Sequence, residues 1–396
     1  MAIAIEEITA DTIWMVKNML FIKVVTDLDI DADPTVYIVA NIKRAADDSL
    51  IASLVGYPDT NLAVVFYLDS ILKTEVIDDA IKSFTTSAAA TSRAKQIYVD
   101  FVEYENNGAA AGTVSSSPVV IVNAGIPKQH YDLISVSNPY NATTVQKYFL
   151  TAREGKTVRM GLDQHGWWSV FNPDDAAIDV NVKYRIYVKN ASVEYVDHLV
   201  DHSDIQPFHM KDIPVGNALL DLEQYIPAGS SITKYEVWTY KPTLSWDPYP
   251  YTIYIDEYRY KPRDFVFVNF LGGMEFLRCS GDIEMSADVL NEIGSQFEQY
   301  TAFTPSHVIT RTKERYSEKV WIGWQQEYEL GIVRDFLLSK SKYYADPELT
   351  RFIPLVVKSG SVVIGRKNES LHAIEFEIEY LVDNVVANSN FNIMQD

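Results

Sequence analysis

The residues best suited to chemistry are the histidines and aspartates of DHLVDHSDIQPFH, a segment that begins at Asp197. His198 and His202 are four residues apart, a spacing that would place both rings on one face of a helix, where they could bind zinc. The glutamate of the zinc motif His-Glu-x-x-His is missing, however, and the neighbouring strand pattern would separate the two rings along an extended chain. We therefore expect a surface loop and no cofactor, with His198, His202 and His209 as weak candidates for metal ligands.

Four aspartates alternate with other residues in DLDIDADP, from Asp27 to Asp33. A calcium-binding EF-hand loop that starts at Asp27 would need glycine at its sixth position and glutamate at its twelfth. Ala32 and Ile38 stand at those positions. The segment is therefore predicted to be a solvated turn between strands, with an adventitious calcium site as the alternative.

Clustered aromatic residues could stack on a sugar, and the candidates are Trp167, Trp168, Trp246, Tyr249 and Tyr251. Adjacent residues of a strand point to opposite faces of a sheet, so at most one of Trp167 and Trp168 can face a ligand. Tryptophan and tyrosine also fill cores and subunit interfaces. We expect packing in the core or at an interface, with sugar binding as the alternative.

Motifs for nucleophilic or nucleotide chemistry are not found, because the chain has no Gly-x-Ser-x-Gly, no P-loop and no dinucleotide-binding fingerprint. The one cysteine, Cys279, cannot form an internal disulfide and is predicted to be a small buried hydrophobic residue. The pair Gly272 and Gly273 is predicted to form a tight turn that requires positive φ. The chain is therefore predicted not to be an enzyme.

The 396-residue chain has a net charge of −20 and 47% hydrophobic residues. This composition is typical of a globular protein with two or three domains. Sequence-specific nucleic-acid binding is disfavoured because phosphates require clusters of lysine and arginine, and the clusters at 43–44 and 311–315 are short. The single cysteine predicts folding in a reducing cytoplasm. An acidic N-terminal segment and the absence of a long apolar run predict that the chain has no signal peptide and no membrane span.

Short strands with turn residues about every 8–12 positions indicate β-sandwich or barrel architecture. The predicted fold class is mainly β, with tandem β-sandwich-like domains followed by a C-terminal α/β (α+β) domain. The predicted limits are 1–112 for the first β domain, 113–262 for the second and 263–396 for the C-terminal domain. A linker is expected at 106–118, where Gly, Ala and Ser show no periodicity.

The strongest helix pattern covers 326–345, QEYELGIVRDFLLSKSKYYA. Apolar residues recur there at three- and four-residue spacings, which predicts that they share one face of a helix and pack on the core. These residues are Leu330, Val333, Phe336, Leu337 and Tyr344. Near the end of the chain, LHAIEFEIEY alternates apolar and acidic residues. This alternation predicts a closing strand with one buried face.

The segment RDFVFVNFLGGMEFLRCSG, with the structural motif Asn269, Gly272, Gly273 and Gly281, resembles a segment of uncharacterised virion structural proteins from tailed phages of Bacteroidetes hosts, the crAss-like group included. The order of the surrounding sequence is also similar: YLDSIL and EYEN come early, VIVNAG and YFLT follow, YTIYIDEYRY precedes the segment, and RFIPLVVKSG comes near the end. Phe270 departs from the pattern, because a small polar residue is expected there. The resemblance covers most of the chain through apolar positions and glycines, and it carries no active-site residues.

This resemblance implies a structural role in the neck, tail or baseplate of a virion. The partners would be copies of the same chain in a ring and other virion proteins, since exposed aromatic surface and repeated head-to-tail contacts favour closed rings. The chain would then be located in the virion after synthesis in the host cytoplasm. Two other functions stay open: a carbohydrate-binding adhesin module at a tail tip, and a hydrolase whose site has no recognisable motif.

Overall fold

The structure, a computed structural model, describes residues 3–8, 13–27, 36–77, 88–90, 92–105, 108–125, 149–151, 153, 156–172, 175–190, 192–240, 250–257, 262–295, 307–326, 329–346, 350–358, 360, 362–363 and 371–381. Strands dominate these residues, so the chain is mainly β, as the sequence predicts. It forms two compact units. The first comprises Met1–Ile81, Thr85–Asp256 and Val268–Glu275, and the second comprises Lys82–Phe84, Glu257–Phe267 and Phe276–Asp396.

The N-terminal part of the first unit contains two sheets arranged as a sandwich. Its elements are β1 (Ala4–Ile8), β2 (Ile13–Met15), β3 (Phe21–Val25), β4 (Tyr37–Arg44), β5 (Leu50–Gly56), β6 (Ala63–Tyr67), α1 (Asp69–Glu75), β7 (Ala88–Ala90), β8 (Ala94–Tyr104), β9 (Ala110–Ser115) and β10 (Val119–Val122). One sheet has the order β1-β3-β6. The other has the order β2-β10-β8-β4-β5, with β9 paired to β8.

Alternation of apolar residues explains why these strands form two packed sheets. In β4, Ile38, Ala40 and Ile42 are buried while the residues between them are partly exposed. They share one hydrophobic core with Ile22 and Phe66 of the other sheet. A period of two turns one face of each strand toward the core, as a sandwich requires.

The remaining part of the first unit contains a five-stranded sheet and a three-stranded sheet. Its elements are β11 (Thr157–Met160), β12 (Trp167–Phe171), β13 (Ile178–Lys189), β14 (Tyr195–Ile205), β15 (Met210–Pro214), α2 (Asn217–Leu220), the 3-10 helix Leu222–Tyr225, β16 (Ser231–Tyr240) and β17 (Tyr251–Ile255). The larger sheet has the order β11-β17-β16-β13-β14, and the smaller has the order β12-β15-β7.

One face of the five-stranded sheet lies against the end of β15. Val182 and Tyr184 of β13 are fully buried on this face. The hydroxyl of Tyr184 donates to the carbonyl oxygen of Pro214 at 2.8 Å. The hydroxyl of Tyr235 likewise donates to the carbonyl oxygen of Val215 at 2.7 Å. The opposite face of the sheet therefore points away from this core.

The described residues of the second unit form most of a seven-stranded sheet and one helix. Its elements are β18 (Arg263–Val268), β19 (Met274–Cys279), β20 (Ile283–Ser295), β21 (His307–Gln326), α3 (Leu330–Leu338), β22 (Lys342–Asp346), β23 (Arg351–Val357) and β24 (Leu371–Tyr380). The strand order is β19-β18-β22-β23-β24-β21-β20. The turn between β18 and β19 belongs to the first unit. Among the described residues, no helix has the length and apolar character needed to cross a membrane.

The helix prediction at 326–345 is wrong in its limits. α3 ends at Leu338, where Ser339 turns to an extended conformation and its N–H donates to the carbonyl oxygens of Asp335 and Phe336. Tyr344, which the periodicity placed on the helix face, lies in β22 and pairs with Phe265 and Ile353. Backbone pairing on both sides of β22 outweighs the helical pattern of its sequence.

The linker prediction at 106–118 is also wrong for the residues that the structure describes. Ala110–Ser115 form β9, which pairs antiparallel with β8. Gly108 has a positive φ of 75°, and its N–H donates to the carbonyl oxygen of Glu105 at 2.8 Å, which turns the chain between the two strands. The predicted boundary between residues 112 and 113 therefore falls inside a strand, while the division of the chain into three domains stays a prediction.

Candidate functional site

The turn between β18 and β19 is held by the side chain of Asn269. Its amide oxygen accepts from the N–H groups of Leu271 at 3.0 Å and Gly273 at 2.9 Å. Its amide nitrogen donates to the carbonyl oxygen of Leu150 at 2.7 Å. The backbone N–H of Asn269 donates to the carbonyl oxygen of Gly273 at 2.8 Å. Because the residue is fully buried, these bonds satisfy polar groups that have no access to water.

Glycine is required at the two adjacent positions that end this turn, for two different reasons. Gly272 has a φ of +78°, which residues with a Cβ resist, and an added Cβ would lie 3.0 Å from the carbonyl oxygen of Asn123. Gly273 has ordinary backbone angles, but its Cβ would collide with the carbonyl oxygen of Leu150. The tight turn predicted from the sequence is therefore present, with positive φ at Gly272 and close packing at Gly273.

Gly281 lies in the second unit and is required by a close approach to β21. Its N–H donates to the carbonyl oxygen of Trp321 at 3.0 Å, and a Cβ would collide with the Cβ of Trp321. The motif Asn269, Gly272, Gly273 and Gly281 therefore contains one turn and one separate strand contact, and each is a packing requirement.

A buried ion pair lies beside the turn. The guanidinium of Arg93 binds both carboxylate oxygens of Asp212, with 3.0 Å between Nη1 and Oδ1. The same Nη1 donates to the hydroxyl oxygen of Ser169 at 3.1 Å and points to the carbonyl oxygen of Gly272 at 3.4 Å. The Ser169 hydroxyl donates to Asp212 and accepts from the N–H of Met274 at 2.7 Å. This arrangement fastens β12 and β15 to the first residue of β19.

Glu275, which follows Met274 in β19, is a second buried carboxylate. Its Oε1 accepts from the indole N–H of Trp168 at 2.8 Å and from Nε of Arg153 at 3.1 Å. Its Oε2 accepts from the hydroxyl of Thr151. A fully buried carboxylate is tolerated only with such charged and hydrogen-bonding partners.

We name this network the turn cluster; its residues are Arg93, Thr151, Arg153, Trp168, Ser169, Asp212, Asn269, Gly272, Gly273 and Glu275. Serine, aspartate and arginine could in principle serve catalysis, but here the Ser169 hydroxyl is already used as both donor and acceptor. Arg93 and Asp212 form an ion pair with each other and are nearly inaccessible to solvent. The chemistry that this geometry supports is therefore structural: it fixes strands that are distant in sequence.

The three histidines proposed as weak metal ligands are not brought together. His198 and His202 lie on β14, so the surface-loop prediction is wrong for Tyr195–Ile205. The ring of His198 stacks on Tyr225 with 3.8 Å between centroids, and Nδ1 of His209 lies 2.8 Å from the carbonyl oxygen of Pro207. Within the described part of the chain, no group of three potential ligands could hold a metal ion.

His202 is buried, and its Nε2 has no hydrogen-bond partner among the described residues. Burial, with a smaller contribution from the charge of Lys211, lowers the pKa of His202 to about 4, against the opposing influence of Asp201. The ring is therefore neutral at physiological pH and acts as a core side chain. Of the acidic segment 27–33, only Asp27 lies within the described residues.

The tryptophan pair is part of the core. Trp167 and Trp168 are both buried on β12, and the ring of Trp168 lies 4.7 Å from that of Tyr251. These rings cannot stack on a sugar, while Trp246 and Tyr249 lie outside the described residues. Cys279 is buried as expected, and burial together with the charges of Asp264 and Glu318 raises the pKa of its thiol.

Arg93, Asp212 and Glu275 were missed by reasoning from the sequence. Arg93 and Asp212 are 119 positions apart, so no local motif connects them. A usable signal was present only in β12, because Ser169 is a polar residue within the otherwise apolar segment WWSVF. A polar group at such a position implies a hydrogen-bond partner elsewhere in the chain.

No known family model matches the chain, and no curated protein is similar to it. One solved structure that matches is described as "Crystal structure of CBD12 from CALX1.2" and is 15% identical to this chain. The match covers 61% of this chain and 80% of the chain in that structure, with a TM-score of 0.19. Latent dimeric PorU from Porphyromonas gingivalis is 7% identical. That match covers 78% of this chain and 30% of the PorU chain, with a TM-score of 0.18. Both TM-scores are low, so neither likeness carries an argument here.

Proposed function

We propose that this chain is a structural subunit of a tailed-phage virion that forms rings in the neck, tail or baseplate. The observation that carries the proposal is that the segment responsible for the resemblance, RDFVFVNFLGGMEFLRCSG, builds the turn cluster. Its asparagine, glycines and glutamate are all used in internal packing and hydrogen bonds. A segment of this kind contributes rigidity, which a subunit of a particle needs.

The charges of the described residues support a scaffold without nucleic-acid binding. The basic pair Lys43 and Arg44 is already matched by carboxylates, with Lys43 Nζ 2.7 Å from Asp100 and Arg44 Nε 2.8 Å from Glu75. The whole chain carries a net charge of −20. Such a surface repels DNA, which suits a protein that borders a DNA passage.

Ring formation is tested on the full-length chain by multi-angle light scattering and negative-stain electron microscopy at low and high salt. Rings of uniform size are expected, and high salt should favour them because it screens repulsion between acidic copies. A protein that remains monomeric at every salt and protein concentration contradicts the ring proposal. The virion assignment is tested by immunogold labelling of tailed particles that carry the gene, and it fails if purified particles bear no label.

The alternative of a carbohydrate-binding adhesin module at a tail tip rested on aromatic residues that include Trp167 and Trp168. Both are inside the core, so they do not support it. Binding of the folded protein to a glycan array would nevertheless favour that alternative over a ring subunit. Turnover of a host polysaccharide would favour the hydrolase.

A further inference from the structure

The ring of His202 is buried at the C-terminal end of β14. The residue is 5% exposed, and strand register places it opposite Val180 of β13, which is fully buried. The same face of β14 carries His198, whose ring stacks on Tyr225. Within the part of the chain that the structure describes, Nε2 of His202 has no hydrogen-bond partner. A buried polar atom without a partner costs free energy, and the cost is far larger when the group carries a charge.

The charges around His202 oppose a proton on its ring. Lys211 of β15 disfavours protonation, and its influence is larger than that of Asp201, which favours protonation from the preceding position of β14. Asp179, a carboxylate of β13 at this end, accepts from the backbone N–H of Asp204 at 2.9 Å. A proton on the buried ring would therefore meet more repulsion than attraction.

The backbone next to His202 departs from regular strand pairing. Val180 is opposite His202 and Ile178 is opposite Ile205, so β14 has one residue more than β13 between these two pairs. This β-bulge includes Asp204, which has a positive φ of 61°. A bulge interrupts the ladder of hydrogen bonds, and left-handed backbone is unfavourable for a residue that has a side chain. The end of β14 is therefore held less firmly than its middle.

β14 is also the last strand of its sheet. The order β11-β17-β16-β13-β14 gives it one neighbour, and its other side pairs with no strand that the structure describes. The end of an edge strand can separate from its neighbour while the rest of the sheet stays paired. Such local openings cost less free energy than unfolding of the whole domain.

We infer that His202 makes the C-terminal end of β14 an acid-sensitive switch. At neutral pH the uncharged ring stays in the core and residues 201–205 remain on β13. In acid the ring takes up a proton when this end opens, because water then solvates the charge, and the protonated ring no longer returns to the core. Opening uncovers the edge of β13 near Val180, where backbone groups become available to another strand. This inference does not depend on the ring proposal.

The two protonation equilibria set the size of the effect. Burial and the charge of Lys211 hold the pKa of His202 at about 4 while the strand end is closed, whereas an exposed imidazole has a pKa near 6.5. The open form binds the proton more tightly, so acid favours it. The ratio of open to closed molecules should rise about twentyfold between about pH 7 and about pH 5.

The test is backbone hydrogen exchange of the full-length chain, followed by mass spectrometry at about pH 7 and about pH 5 and corrected for the intrinsic pH dependence of exchange. Peptides that cover 201–205 report opening of the strand end, and peptides from β16 report unfolding of the whole sheet. His202→Leu and His202→Gln both remove the titrating ring, one with an apolar and one with a polar side chain. His209→Gln is the matched control, because it removes a histidine outside β14 whose Nδ1 lies 2.8 Å from the carbonyl oxygen of Pro207.

In the wild type and in His209→Gln, the protection of 201–205 should fall about twentyfold in acid while β16 keeps its protection. Both His202 variants should lose this pH dependence. An equal loss of protection in β16 would show that acid acts by unfolding the whole sheet and would overturn the switch. The inference also fails if the wild-type strand end keeps its protection at about pH 5, or if both His202 variants respond to acid as the wild type does.

Discussion

Arg93 and Asp212 form a bidentate ion pair in which the side chains are only 1% and 2% exposed, respectively. Removing two charges from water is costly, and a buried pair compensates for this only when its geometry is good and its remaining groups are bonded. Both conditions are met, because Ser169 bonds to Arg93 and to Asp212. The pair thus fixes the positions of strands that no local sequence signal brings together.

Breaking this pair should destabilise the first unit strongly. Asp212→Asn leaves the guanidinium of Arg93 buried without its counter-charge, and such a change costs about 3–5 kcal/mol. The free energy of unfolding is measured by urea denaturation. Asp69→Asn, which removes an exposed ion pair with Lys73, is the control and should change it by less than about 1 kcal/mol. Equal effects of the two substitutions would show that burial of Arg93 and Asp212 has no special importance.

The turn glycines give a second prediction. Gly273→Ala should impair folding because the new Cβ would collide with the carbonyl oxygen of Leu150, a backbone atom that cannot move alone. The yield of folded protein and the urea midpoint should both fall. Gly331→Ala is the matched control, since a Cβ at this exposed helical position meets no atom within 4 Å. It should leave stability unchanged or raise it slightly. A normal midpoint for Gly273→Ala would contradict the close approach.

The alternating strands and the glycine turn could be predicted from the sequence because each depends on residues that are close together in the chain. In β24, Ile374, Phe376 and Ile378 are buried as their period of two predicts. The turn at Gly272 likewise follows from the end of a strand and a residue that tolerates positive φ.

Features that depend on distant partners could not be predicted. β9 has no apolar period, and it forms because β8 offers backbone hydrogen bonds to a chain of small residues. β22 follows a helical pattern yet becomes a strand between β18 and β23. The contacts of Arg185 with the rings of Tyr195 and Trp238 depend in the same way on the register of the three strands β13, β14 and β16.

The helix α3 gives a third prediction, and it concerns two of the residues that were expected to pack on the core. Leu337 is only half-buried, whereas Phe336 is fully buried with its ring 5.4 Å from Phe265 and 5.3 Å from Phe267. Phe336→Ala should therefore lower the free energy of unfolding of the second unit by about 3–5 kcal/mol. Leu338→Ala, at a position that is 66% exposed, should change it by less than about 0.5 kcal/mol. Chemical denaturation of both variants tests this, and similar midpoints would place Phe336 outside the core.

His202 gives a prediction for the effect of pH. Its pKa is about 4 in the folded chain, mainly because of burial, and near 6.5 when the ring is exposed in the unfolded chain. Above about pH 6.5 the ring is neutral in both states, so the residue adds no pH dependence. As the pH falls below this value, His202 becomes protonated in the unfolded chain but stays neutral in the folded chain. The free energy of unfolding therefore declines until the pH reaches about 4. The expected loss from this residue is about 2 kcal/mol by pH 5.

Carboxylates also titrate in this range, so the contribution of His202 has to be measured as a difference between variants. The urea midpoint of the wild type and of His202→Leu is determined at about pH 7 and about pH 5. The wild type should lose more stability than His202→Leu, because leucine cannot take up a proton in the unfolded chain. Leu199→Ala, at an exposed position of the same strand β14, keeps the histidine and should retain the wild-type loss. If His202→Leu and Leu199→Ala lose the same stability between the two pH values, the buried ring of His202 does not have the lowered pKa.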